Sequence, residues 1–238
     1  MTNKTVVIAC ATVIEEMLPL MPPDMEYRTL EFGLHAYPAR LRETLQTNID
    51  EMVAAHAATH PGEELTILLG YGLCSQALVG VEARGCTLVV PRVDDCIAIF
   101  LGSRSAYKQQ AGAEPGTYYL TKGWIEVGAT PDNEYGKGSA EYQRIVARFG
   151  EARAEALFKK MLVNYKRLAL INTGQYEIEH YRAIARAQAE RLNLRYEEVP
   201  GSAGMVRKLL DDAPADEFVV LPPGETFRLD HFYNLTKK

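Results

Sequence analysis

Three of the four cysteines stand in equivalent places. Cys10 directly follows the apolar run Val6-Val7-Ile8-Ala9, Cys74 closes Gly70-Tyr-Gly-Leu-Cys74 after the run 65–69, and Cys96 closes Pro91-Arg-Val-Asp-Asp-Cys96 after the run 87–90. In an open α/β sheet, ligands bind in the crevice at the carboxyl ends of the strands. If these runs are neighbouring parallel strands, all three thiols project into one cleft. Zinc takes sulfur and nitrogen ligands tetrahedrally, and its catalytic sites use three protein ligands with a fourth position open. A [4Fe–4S] cluster held by three cysteines likewise leaves one iron for a substrate. There is no compact C-x-x-C pair, so the ligands would come from separate loops. Two other readings stand beside the metal. Free cysteine often fills a core. A lone thiol at Cys74, in a glycine-bearing turn between strand and helix, resembles a nucleophile elbow, although Gln76 breaks the symmetric pattern. Cys86 begins its strand instead of ending it, which puts it at the opposite edge as a packing residue.

Other residue types extend the candidate site. His35, in Gly33-Leu-His-Ala-Tyr-Pro38, stands before a long helix and suits a fourth ligand, a proton-transfer group or a simple helix-entry residue. Arg92, Asp94 and Asp95 share the loop with Cys96. One aspartate is expected to cap the following helix, which leaves the other and Arg92 to orient a small anionic or methylated substrate. We therefore expect His35, Arg92 and Asp95 as catalytic groups. Tyr71 in the cysteine turn and Arg104 in Leu101-Gly-Ser-Arg-Ser105 are expected to contact substrate. Thr173, in Asn172-Thr-Gly-Gln-Tyr176, and Gly224, in Pro222-Pro-Gly-Glu225, follow later strands and would complete the wall. His56, His60, His180 and His231 read as solvated. No G-x-G-x-x-G after a strand, no Walker lysine loop and no H-E-x-x-H is present, which disfavours a nucleotide enzyme.

The elements that must hold these residues are legible. Short apolar runs rich in β-branched residues alternate with helical patterns, and runs without polar alternation predict strands covered on both faces. Pro38 opens a long helix whose Leu41, Leu45, Ile49, Met52 and Val53 make one buried stripe. Residues 106–138 change character, being rich in Gly, Tyr, Lys and Pro, and read as a boundary, either a lid or a connector. Beyond them come helices near 139–148 and 151–164, strands near 168–171 and 196–199, a helix near 205–210 and a last strand at 218–221. The expectation is a mainly parallel, Rossmann-like α/β sheet flanked by helices, in two lobes divided as 1–120 and 121–238 with a cleft at the strand carboxyl ends.

Composition narrows the class. The 238 residues are 47% hydrophobic and 24% charged, which supports a sizeable core and excludes a disordered chain. A formal charge of −5 makes a nucleic-acid partner unexpected. The apolar runs are too short for a bilayer or a signal peptide. Four cysteines in this length make no disulfide framework, so a reducing, cytoplasmic protein is expected.

Taken together, several segments resemble the family called "domain of unknown function 1638". They are Ala9-Cys10, Leu34-His35 with Pro38, Leu69-Gly-Tyr-Gly-Leu-Cys74, Pro91-Arg-Val-Asp-Asp-Cys96, Leu101-Gly-Ser103, Pro115-Gly-Thr-Tyr-Tyr-Leu-Thr121 with Gly123-Trp124, and Pro222-Pro-Gly224. The resemblance implies that Cys10, Cys74, Cys96 and His35 belong to the family pattern and that Cys86 does not. Ser75-Gln76 departs from the Gly-Asn-like residues expected there. Members of that family occur beside corrinoid-dependent methyltransferase systems. The resemblance thus implies one-carbon metabolism, with a small-molecule substrate and a corrinoid protein or methyltransferase as partner, by association alone.

Overall fold

The computed structural model describes residues 3–128, 130 and 139–233. The chain divides into two compact units, residues 1–104 with 202–238 and residues 105–201.

The first unit is built on a five-stranded sheet. Its strands are β1 (Asn3–Cys10), β2 (Tyr27–Leu30), β3 (Glu64–Gly70), β4 (Thr87–Pro91) and β8 (Phe218–Leu221), in the order β2-β1-β3-β4-β8. The first four are mutually parallel and β8 is antiparallel to β4. Residues 6–9 of β1 are buried on both faces, as expected for a covered parallel strand. Helix α1 (Ala11–Met17) follows β1. Helix α2 (Pro38–Thr59) starts with proline at its first position and buries Leu41, Leu45, Ile49 and Met52 against the sheet. Each of those side chains contributes about 1.5–3 kcal/mol of apolar burial. Gly70 lets α1 and β3 close up. A Cβ there would lie 2.6 Å from the Ala9 Cβ and 3.0 Å from the Met17 sulfur. Helices α3 (Cys96–Phe100) and α9 (Gly204–Asp211) complete this unit.

The second unit carries a parallel sheet ordered β5-β6-β7, from β5 (Thr117–Leu120), β6 (Arg167–Asn172) and β7 (Arg195–Pro200). Helix α4 (Arg104–Ala113) leads into it, and α5 (Lys122–Glu126), α6 (Ala140–Phe149), α7 (Glu151–Leu162) and α8 (Glu179–Arg191) follow. Leu120, Leu168, Leu170, Ala185 and Ala189 form its core, and α6 and α7 share a separate cluster of Tyr142, Ala154 and Phe158. Arg167 is a buried cation held by the Thr117 hydroxyl, the Gln110 side chain and the Glu197 carboxylate at 2.9, 3.1 and 3.1 Å.

The α/β class and the mainly parallel sheet agree with the sequence. The division differs from a single boundary at residue 120. β5 pairs with β6, which puts it in the second unit, and β8 returns to pair with β4 in the first. Residues 129 and 131–138, part of the segment read as lid or connector, lie outside the described residues. Among the described residues, no helix is long and apolar enough to cross a membrane.

Candidate three-thiol site

β1, β3 and β4 are adjacent and parallel, so the residues after them emerge at one sheet edge. Cys10 is the last residue of β1, half-buried, with its sulfur 3.5 Å from the Thr12 hydroxyl. Cys96 opens α3. The Asp95 side chain caps that helix by accepting from the Ile97 amide at 2.9 Å, and buried Ala98, Ile99 and Phe100 anchor it.

The turn carrying Cys74 is the most constrained part. Beyond the sheet, the chain after β3 still runs beside the chain after β4. The Leu73 amide donates to the Val93 carbonyl at 2.9 Å, and the Cys74 amide to the Asp94 carbonyl at 3.0 Å. Gly72 permits that approach, because a Cβ there would meet the Asp95 backbone at 2.8–2.9 Å. Cys74, Ser75 and Gln76 then adopt positive φ angles of 46°, 57° and 65°. A left-handed conformation disfavours a non-glycine residue by about 1–2 kcal/mol. Three in succession concentrate strain on the segment that aims the thiol, as functional loops often do.

Burial and mutual proximity hold the Cys74 and Cys96 thiols in their protonated form. Burial, then the charges of Cys10 and Asp95, push the Cys74 thiol up to about 12. Burial, then Cys74, Cys10 and Asp95, raise Cys96 well above the ordinary thiol range. Tyr71 is buried, and its phenol is raised by burial first and by Cys10, Cys74 and Cys96 after it. Among the described residues, no group of three or more His, Cys, Asp or Glu side chains is placed so that it could hold a metal ion.

The other expected residues divide. Asp95 precedes Cys96 and caps its helix, and Tyr71 is buried in the same core cluster as Cys74. Arg92 works on the backbone, donating to the Ala215 and Phe218 carbonyls at 3.1 and 3.2 Å and so tying the entry of β8 to the loop after β4. Arg104 donates to the Phe232 carbonyl at 3.3 Å and lies over the Tyr233 ring at 5.3 Å. His35 is exposed on a 3-10 turn (Leu34–Ala36), edge-on to Phe32. Gly224 is displaced from the expected wall. Because β8 is antiparallel, with Leu221 opposite Leu88, its carboxyl end points to the edge opposite the thiols, where the Gly224 amide bonds the Ala83 carbonyl at 2.8 Å. Thr173 belongs to the second unit, where it lines a pocket of about 400 Å³ with Asn172, Gly174, Glu198 and Pro200. Cys86 is buried in the core of the first unit.

Sequence reasoning missed Tyr233. Its hydroxyl donates to Asp94, on the loop that holds Cys74, and Arg104 sits 3.9 Å from the same carboxylate. A lone tyrosine near the carboxyl terminus offers no pattern that would have pointed to this contact.

Fold and site thus define an α/β protein with three cysteines gathered at the carboxyl edge of a parallel sheet. The family described as "Protein of unknown function (DUF1638)" matches residues 29–210, and the chain belongs to that family. The matched span takes in His35, Cys74 and Cys96, while Cys10 precedes it. No curated protein and no solved structure matches.

Proposed function

We propose that the chain is a metal- or iron–sulfur-dependent enzyme whose Cys10, Cys74 and Cys96 hold one metal centre and which acts on a small molecule. The observation that carries this reading is the placement of three cysteines just at or beyond the carboxyl ends of three adjacent parallel strands. The donor set fits zinc, or a [4Fe–4S] cluster with one open iron. Bound zinc would supply Lewis-acid activation of a thiol or water for methyl transfer or hydrolysis, and a cluster would supply lyase or redox chemistry. Asp95 supports the site through the α3 cap beside Cys96. Corrinoid-linked one-carbon metabolism, in the cytoplasm, is the setting that the family resemblance favours.

A metal-free nucleophile at Cys74 is less favoured, because burial holds that thiol near 12 and leaves little thiolate at neutral pH. A metal-carrying accessory protein that docks on a corrinoid methyltransferase is the second reading. It is favoured by exposed Phe149 on α6 and by exposed Leu157, Met161 and Val163 on and after α7.

Metal and acid-labile sulfide analysis of anaerobically purified protein tests the proposal. About one zinc, or about four irons with matching sulfide, supports it. No metal under any preparation sinks it.

A further inference from the structure

The second unit carries a pocket of its own. β6, α8 and β7 form a parallel strand–helix–strand unit, with Asn172 opposite Pro200 at the strand ends. Open parallel sheets bind ligands at that carboxyl edge. The pocket of about 400 Å³ lies there, lined by Asn172, Thr173, Gly174, Glu198, Pro200 and Gly201. Its size is that of a small-molecule site. At Gly174, with φ at 74°, nothing stands within 4 Å of where a Cβ would be, so the loop after β6 adds no bulk to the wall.

The polar side chains of this pocket are already fixed. The Asn172 side-chain nitrogen donates to one Glu198 carboxylate oxygen at 2.9 Å, and the Asn172 side-chain oxygen accepts from the Gly174 amide at 2.9 Å. Arg182 donates to the other Glu198 oxygen at 2.7 Å. These bonds, that of Arg182 first, hold the Glu198 carboxyl below its ordinary range, so it is ionised at neutral pH. Each carboxylate oxygen offers about two acceptor sites, and one bond to each leaves capacity on both. The surrounding charge is balanced: Arg182 and Arg186 act on Glu198, and Arg182 also pairs with Glu179. An anion would meet the carboxylate and a cation the arginines, whereas neighbouring hydroxyls would donate one hydrogen bond to each carboxylate oxygen. We propose that the pocket binds a neutral polyhydroxylated ligand, a sugar or the ribose of a nucleoside. Glu198 accepts from two adjacent hydroxyls, and Asn172 and Arg182 are its positioning residues. The pocket shares no residue with the three-thiol site, so the proposal stands apart from the metal reading.

The test is a saturation-transfer difference NMR titration of the full chain. D-ribose, D-glucose and adenosine are the probes, and 2′-deoxyadenosine, acetate and methylammonium are the controls. At least one probe is expected to bind with a Kd of about 1 mM or tighter. Glu198→Gln should weaken that binding about tenfold or more, the usual effect of losing a hydrogen bond to a charged group. Thr173→Trp, which fills the pocket from a partly exposed loop, should abolish it. Adenosine binding about tenfold tighter than 2′-deoxyadenosine assigns the pocket to a ribosyl group, and binding of a free sugar alone assigns it to a sugar. Folding of both variants is checked by circular dichroism. Should Glu198→Gln unfold, Thr173→Trp and the deoxy control decide. No binding by any probe, binding that survives either folded variant, equal binding of adenosine and its deoxy form, or binding of acetate or methylammonium instead overturns the proposal.

Discussion

The backbone amide of Cys74 donates to the carbonyl of Asp94 at 3.0 Å, so the loop after β3 is fastened to the loop that leads into Cys96. This bond continues the β3–β4 pairing past the end of the sheet. It brings two thiols together that are 22 residues apart in the chain. Gly72 makes the approach possible, and the Asp94 side chain extends the anchorage to Tyr233.

Gly72→Ala is therefore expected to separate the loops. The added Cβ meets backbone, which cannot swing away as a side chain can. Overpacking of this kind costs about 1–3 kcal/mol. Urea unfolding should show that loss, and metal content should fall with it. A variant as stable as wild type, with its metal retained, would contradict the role given to Gly72.

Ser75→Gly should act in the opposite direction. Relief of a left-handed residue is worth about 1–2 kcal/mol, against about 0.5–1 kcal/mol for the extra freedom of glycine in the unfolded chain. A net gain of about 0.5–1 kcal/mol in unfolding free energy is expected, and a loss would show that Ser75 is not strained.

Arg92→Gln separates a structural arginine from a substrate-binding one. The substitution leaves the Ala215 and Phe218 carbonyls short of a donor, which predicts a loss of about 1–3 kcal/mol with metal content unchanged. Undiminished stability with impaired substrate binding would return Arg92 to the substrate.

The pH dependence of the metal-free protein follows from its buried thiols. Burial, and then the charge of Asp50, push Cys86 up to about 12, whereas an unfolded thiol ionises near about 8.5. Above about pH 8.5 the unfolded chain gives up its proton first. The folded state then binds more protons, and stability falls as pH rises towards 12. The contribution is fully present below about 8.5. Urea unfolding between about pH 7.5 and 10.5 should show this decline, and Cys86→Ala should make it shallower. An identical slope in that variant would exclude Cys86 as a source.

Much of this arrangement was legible in the sequence because it depends on strand ends. The continuous apolar runs of β1, β3 and β4 suggest covered parallel strands, and strands running that way place Cys10, Cys74 and Cys96 at one edge and Cys86 at the other. The stripe on α2 was equally plain. The direction of β8 was not, since an apolar run of four residues reads the same either way, and Gly224 was assigned to the wrong edge for that reason. Arg92 looked like an anion ligand because its carbonyl partners are backbone atoms contributed from more than 120 positions away. The left-handed turn at residues 74–76 was hidden for a related reason. Ser75 and Gln76 do not advertise positive φ as Gly and Asn would.

The central claim is that three particular thiols act as one ligand set. Metal retention after identical anaerobic purification should be measured for Cys10→Ala, Cys74→Ala, Cys96→Ala and Cys86→Ala, with folding checked by circular dichroism. The account predicts that each of the first three loses the metal while staying folded, and that Cys86→Ala keeps it. Retention in any of the first three, or an equal loss in Cys86→Ala, would contradict it.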